Sequence, residues 1–448
     1  MGEISDAKVN LVRGLIEKAP DAAVRSLLLA LSADRGHDEA LTRVQRIVEA
    51  ESADRQARNL VFAPIAPLCG PPGAFSELTF PPRTLGALWR ALKQSAPEEV
   101  ADAKASADKW RGEERGPEAL DALCALAAEA LRSGVPEFRA AAEAADAGAG
   151  RDVLIACLDI APIVRGALGH MPEWLTRMTG EKAAKLRLAY RDAAEVSADA
   201  GPRFFEMLAA HLSEPWLIMR VISGAMDKPS DAYMAASEVR GFGERVLADI
   251  DHQLDELEGL ARSSGRGSAQ AAARAVHQAV TEIKEVEISV TLSAGGPWGK
   301  RLAEQKRKLA DTIESQLKSC ERAVTLALPT RSVRVGQRRI RAVPELTADP
   351  DPALVEAAAT RLAFLSEVRG SASDGGFAST RAKVQEAVDE RLDAYVEELL
   401  EEIRADEGVD QARARAYLGI AADFCGLIRD EKAAQIVRRR AAAAASAA

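Results

Sequence analysis

Between Asp231 and Leu328 the apolar residues recur mostly at steps of three and four, and this constrains the chain more than any other feature. Val239, Phe242, Val246, Ile250, Leu254, Leu257 and Ala261 make the first such stripe. An α-helix completes a turn in about 3.6 residues, so these side chains lie along one face. Glu238, Arg240, Glu244, Asp251, Asp255 and Glu258 fall on the opposite face, which is expected to be wet. The spacing predicts a helix from about Asp231 to Arg262. The run Ser263-Ser264-Gly265-Arg266-Gly267-Ser268 breaks it, because glycine and serine favour turns over helix interiors. Ser268 is the expected cap of the next helix. That helix carries Ala272, Val276, Val280, Ile283 and Val290 on one side. Its β-branched end, Val286 to Leu292, has no strand-like neighbour to pair with and is assigned to the helix. A second break, Ser293 to Gly299, precedes a helix from Lys300 to Leu328 with Leu302, Leu309, Ile313, Leu317, Cys320, Val324 and Leu328 on its stripe. Lys306 interrupts that seam, where its stem can lie on apolar surface with the ammonium in water. Short breaks favour antiparallel neighbours, so the expectation is a central antiparallel bundle of long helices. A helix of about 30 residues is about 45 Å long, which predicts an elongated protein with coiled-coil-like seams.

Composition points the same way. Alanine, the strongest helix former, is abundant, aromatic residues are only 4%, and strand-like alternation is nearly absent. The fold class expected is all-α. At 448 residues there is room for two or three domains. The net charge of −9 argues against a chain-wide nucleic-acid-binding surface. Five cysteines, widely spread and without a CxxC pair, suggest reduced thiols in a cytoplasmic protein rather than a disulfide framework. The start, Met1-Gly2-Glu3-Ile4-Ser5-Asp6, has neither the basic residues nor the apolar core of a signal peptide. No stretch of about 18 apolar residues runs uninterrupted by charge, so no transmembrane segment is expected.

The remaining chain divides by composition. Residues 1–150 read as an N-terminal helical region, with Pro20 ending the first helix and Asp21 opening the second. Within it, residues 63–82 carry six prolines, which exclude a helix, yet also Ile65, Leu68, Phe75, Leu78 and Phe80. That combination predicts an extended strap packed on its neighbours. Gly148 and Gly150 mark a hinge or subdomain edge. Residues 151–230 are the most apolar stretch and are expected to form a helical core, with Pro162 kinking or ending its first helix. Residues 329–352 form a basic linker in which Val333, Val335, Ile340 and Val343 alternate among arginines, compatible with a strand pair turning at Gly336. Helices resume over 353–440, and the alanine and serine tail 441–448 has too little to bury to stay ordered.

Residues that carry chemistry are sparse. His37, His170, His211, His252 and His277 show no metal-ligand spacing, although His252 and His277 lie on neighbouring helices. Acidic pairs such as Asp251 with Asp255, Glu282 with Glu285, Glu397 with Glu401 and Glu398 with Glu402 read as solvated faces, and no Glu-x-x-His occurs. No phosphate-cradling glycine loop or nucleophile elbow is present. Gly295-Gly296-Pro297-Trp298-Gly299-Lys300 offers backbone N–H groups to an anion, but suits a turn with a buried tryptophan better. No cofactor is expected. The sharpest feature is Arg331, Arg334, Arg338, Arg339 and Arg341, five positive charges before the next acid, Glu345. Two readings compete for it: arginines paired with nearby acidic helices, or a docking site for a protein partner with an acidic surface. Nucleic acid and anionic lipid are lesser alternatives, since no aromatic residues accompany the run to stack on bases. Arg438, Arg439 and Arg440 could extend the same basic patch. The expected function is a non-enzymatic cytoplasmic scaffold or interaction protein. The alternatives are a helical regulator or enzyme with a pocket between residues 151–226 and the central helices, and nucleic-acid association through residues 331–341.

Overall fold

In the computed structural model, which describes residues 11–16, 19–33, 39–71, 78–109, 117–260, 265–335, 339–405 and 410–447, the chain is all-α. Among these residues there are nineteen α-helices and one two-stranded sheet. The chain divides into two compact units, Met1–Pro229 and Ser230–Ala448.

The first unit starts with α1 (11–16), α2 (Asp21–Ala33) and α3 (Glu39–Val61), around a small core of Ile16, Val24 and Val48. The proline-rich strap follows. It contains one 3-10 turn, Ala66–Leu68, and buries Ile65, Leu68 and Phe80; Phe75 lies outside the described residues. Phe80 N–H donates to Leu68 O at 2.8 Å, which ties the two ends of the strap together. Next come α4 (Arg83–Ser95), α5 (Pro97–Lys109), α6 (Glu118–Arg132) and α7 (Arg139–Asp146). Gly148 works as a packing position. A Cβ there would stand 2.5 Å from Thr79 O, and Ala149 N–H donates to that same carbonyl at 2.9 Å.

Helix α8 (Arg151–Thr176) runs unbroken through Pro162 and Pro172, where the sequence predicted a kink or an end at Pro162. A proline removes one backbone hydrogen bond. Burial of Leu158, Ile160, Ala161 and Val164 around it holds the helix together all the same. By length and composition α8 could cross a membrane, with a mean hydropathy of 1.5, but half of that window is buried inside the protein. It packs on α6 and α7, and on α9 (Gly180–Val196), α10 (Ala200–Ala209) and α11 (Ile218–Ala225). Its charged residues have partners: Asp159 accepts from Arg132, and Arg165 donates to Asp121.

The second unit holds the periodic stretch, with its boundaries adjusted. The expected helix from Asp231 to Arg262 is two helices, α12 (Asp231–Ala235) and α13 (Arg240–Leu260). Ser237 closes the first, its Oγ donating to Met234 O at 2.8 Å in competition with the backbone. Helix α14 (Arg266–Ser289) begins before Ser268. Gly265, at φ 116°, takes the cap position, and Ser268 Oγ donates back to Gly265 O at 2.7 Å. The end of this helix unwinds earlier than expected: Val290 is extended, and Thr291 forms a parallel bridge with Ser230. Helix α15 (Pro297–Ala327) starts on Pro297, whose missing N–H costs nothing at a first helical position.

Helix α13 packs on both α14 and α15, which hardly touch each other. Both lean instead on α16 (Pro352–Glu367), and α15 also meets α17 (Ala378–Ala405). The central helices therefore share their core with the C-terminal ones. Helices α18 (Gln411–Ile428) and α19 (Glu431–Ala447) complete the unit. Where the sequence predicted a disordered tail, α19 continues through the alanines to Ala447 and buries Ala444. Alanine's high helix propensity lets the last turns form with very little to bury.

Candidate functional site

The arginine run forms a β-ribbon against a helix. Strands β1 (Thr330–Val335) and β2 (Arg339–Pro344) pair antiparallel, with Arg331 opposite Val343 and Val333 opposite Arg341. Opposed residues share a face and adjacent ones do not, so Arg331 and Arg341 fall on one face and Arg334 on the other. Gly336, the expected turn residue, and Arg338 lie outside the described residues.

Strand β2 rests on α17, and this contact divides the arginines. Glu398 and Glu401 stand three residues apart on α17 and so share a face. Arg341 Nε donates to Glu398 Oε1 at 2.7 Å, and its Nη2 reaches both Glu398, at 2.6 Å, and Glu401. These hydrogen bonds, to Glu398 first and then Glu401, push the Arg341 pKa further up. Arg331 and Arg334 are exposed and have no ion pair among the described residues. Two of the three C-terminal arginines are already matched: Arg438 binds Asp423 and Glu431, and Arg440 binds Glu397, while Arg439 is exposed.

Between the ribbon and α17 lies a cleft of about 490 Å³, lined by Thr330, Arg341, Pro344, Arg391, Tyr395 and Glu398, among others. Tyr395 is 3% exposed, and burial raises its phenol pKa. Its hydroxyl has no hydrogen-bond partner, and neither does the buried Nε of Arg391. Buried polar atoms without partners are uncommon in folded proteins. No periodicity rule would have found these two, because they stand one helical turn apart on a helix whose stripe looks purely structural.

The glycine loop before α15 is filled from within. Asp231 is buried, and its Oδ2 accepts from the backbone N–H of Ser293 and of Gly299 at 3.5 and 3.4 Å. Its Oδ1 accepts from Ala232 N–H at 2.7 Å. The anion suited to those N–H groups is thus the chain's own carboxylate. Trp298 is buried, as the turn reading expected, and its Nε1 donates to Glu244 at 3.1 Å. Gly243 makes room for it, since a Cβ there would lie 2.3 Å from the indole.

The acidic pairs correct the sequence reading in one place. Glu282 and Glu285, expected on a wet face, are buried. Helix α14 is flanked by α13 on one side and α16 on the other, so its polar positions fall in a seam. Gln278 Nε2 donates to both Glu282 Oε1, at 2.9 Å, and Asp249 Oδ2, at 2.8 Å. Glu282 Oε2 is buried without a partner. Burial, and then the adjoining Asp249 carboxylate, push the Glu282 carboxyl up to about 9, so it is protonated at neutral pH. Asp251, by contrast, accepts from Arg301 and Gln305.

Two buried arginines were missed entirely. Arg165 of α8 donates to Leu60 O and Val61 O at the end of α3, at 2.5 and 2.6 Å. Arg55 donates to Ile16 O and Ala19 O, at the end of α1. Each supplies donors where a helix leaves its last carbonyls unpaired.

His37 lies outside the described residues. His277 Nδ1 lies 3.2 Å from Ser371 Oγ, His252 is exposed, and burial lowers the pKa of His211 beside Pro64 O. Among the described residues no group of three or more His, Cys, Asp and Glu comes together to hold a metal. All five cysteines are free; burial pushes Cys69, Cys124, Cys157 and Cys320 up to about 12, far from a reactive thiolate. A second basic cleft of about 780 Å³, lined by Arg13, Arg46, Lys93 and Lys104, lies in the first unit, where Lys93 and Lys104 are already held by Asp54. No family model, curated protein or solved structure matches this chain.

Proposed function

We propose that this chain is a non-enzymatic interaction protein whose β-ribbon takes up a protein partner with an acidic surface. The observation that supports this best is the contrast among the arginines of the ribbon itself. Arg341 is matched by Glu398 and Glu401 of α17. Arg331 and Arg334 are exposed on the ribbon and matched by none among the described residues. A two-stranded ribbon also has an outer edge on each strand, and such edges accept a further strand from a partner. On a chain of net charge −9, a local positive site selects acidic partners and speeds their encounter. Because Arg331 and Arg334 lie on opposite faces, a partner would grip the ribbon by its edge or meet one arginine at a time.

The test uses the full chain and a glutamate-rich peptide as probe, followed by fluorescence anisotropy. Binding should weaken steeply between low and physiological ionic strength, because exposed charges are screened within about 10 Å. Replacing Arg331 and Arg334 together by serine should abolish it while leaving the helical circular dichroism unchanged. Equal binding by wild type and the double variant would remove the ribbon from the reading. Tighter binding of duplex DNA than of the peptide would favour nucleic acid instead.

A further inference from the structure

The cleft between the ribbon and α17 has a composition of its own, independent of the docking surface. Its volume of about 490 Å³ falls within the range of small-molecule sites. Beside the carboxylates Glu390 and Glu398, two donor side chains stand on its α17 wall, four residues apart and therefore on the same face: Arg391 and Tyr395. Both the Arg391 Nε and the Tyr395 hydroxyl are buried without a partner, and Tyr395 as a residue is 3% exposed. Arg391 is also close enough for its charge to act on the Tyr395 phenol. An N–H and an O–H left unpaired at one wall, one belonging to a cation, call for an oxygen anion with two acceptor atoms. A carboxylate has that form.

The charges narrow the class further. Arg341 also lines the cleft, but it is matched by Glu398 and Glu401 and is not available to a ligand. Glu390, the other carboxylate of the lining, is exposed. Its charge repels a simple monoanion in the cleft. A molecule with a carboxylate inward and an ammonium outward would meet an opposite charge at each end. The rest of the lining is small and apolar, with Ala342, Pro344, Ala387 and Ala394, and leaves space for a short aliphatic body.

We propose that this cleft binds a short aliphatic α-amino acid, with its carboxylate on Arg391 and Tyr395 and its ammonium facing Glu390. The inference does not depend on the acidic-partner reading, because it uses neither Arg331 nor Arg334.

The experiment is titration calorimetry of the full chain with alanine, valine and leucine, each compared with the matching carboxylic acid that lacks the ammonium and with the amine that lacks the carboxylate. At least one amino acid should bind, at least tenfold more tightly than either truncated analogue. Tyr395→Phe should weaken it by tenfold or more while leaving the thermal midpoint unchanged or higher, since the lost hydroxyl has no partner in the free protein. Arg391→Gln should abolish binding, with the helical circular dichroism retained. Glu390→Gln should reduce discrimination against the plain carboxylic acid. The absence of heat with every amino acid at millimolar concentration would overturn the proposal. So would amino-acid binding that survives both Tyr395→Phe and Arg391→Gln, or a crystal structure grown with the amino acid in which water alone joins Arg391 and Tyr395.

Discussion

Replacing Glu282 by glutamine should stabilise this protein at neutral pH, an unusual outcome for a buried polar substitution. Glu282 is fully buried at the seam of α13 and α14, and its carboxyl is pushed from 4.5 up to about 9. The folded protein therefore holds a proton that the unfolded chain releases above about pH 4.5. Between those two values the folded state binds more protons than the unfolded one, so stability falls as pH rises. Each unit of pH is worth about 1.4 kcal/mol, which puts the penalty at about 3 kcal/mol near pH 7 and under about 1 kcal/mol near pH 5. Glutamine keeps the oxygen that accepts from Gln278 and carries no proton to lose. Glu282→Gln should thus gain about 3 kcal/mol near pH 7 and little near pH 5. Urea unfolding at several pH values measures this. Trp298 is the only tryptophan of residues 230–448 and is buried, so its fluorescence follows the second unit. A variant less stable than wild type at neutral pH, or a difference that does not change with pH, would refute the reasoning and mean that Glu282 is ionised in the fold. Asp249→Asn should shrink the effect, because the Asp249 carboxylate contributes to the shift after burial.

Two further substitutions test the buried polar contacts. Asp231→Ala leaves the N–H groups of Ser293 and Gly299 without their acceptor and should cost about 1–3 kcal/mol, seen as a lower urea midpoint for the second unit, with Asp231→Asn milder. Arg165→Met strips the donors from Leu60 O and Val61 O and leaves Asp121 without its guanidinium partner; a loss of about 3–5 kcal/mol should appear in the thermal unfolding of the first unit.

The periodicity of three and four exposed the helical class, the long helices of residues 240–327 and the breaks that separate them. That works because burying one face is a local property of a helix, written in the spacing of its side chains. The alternating valines and isoleucine among the arginines likewise revealed the strand pair. The candidate site was legible only in part. The sequence singled out Arg331, Arg334 and Arg341 alike, whereas Glu398 and Glu401 of α17 occupy Arg341 alone. Tyr395 falls at helical spacing with Val388, Leu392 and Leu399, and nothing local distinguishes Arg391, because an unpaired hydrogen-bonding group is a property of what surrounds it.

By itself, then, the sequence determined most of the helical segments, the glycine-rich breaks on either side of α14 and where positive charge collects, though not that α8 continues through Pro162. Those outcomes follow from forces acting over a few residues. Tertiary structure alone decided that α14 is flanked on two sides and so buries Glu282, that Asp231 fills the glycine loop from within, and that α17 meets the ribbon to form a cleft. Each of these depends on partners tens of residues away: Asp231 reaches a loop 62 to 68 positions along the chain, and Arg341 finds its carboxylates 57 and 60 positions on. Helix spacing shows that a face will be covered, but the covering element depends on the summed packing of the whole unit, which no local window contains.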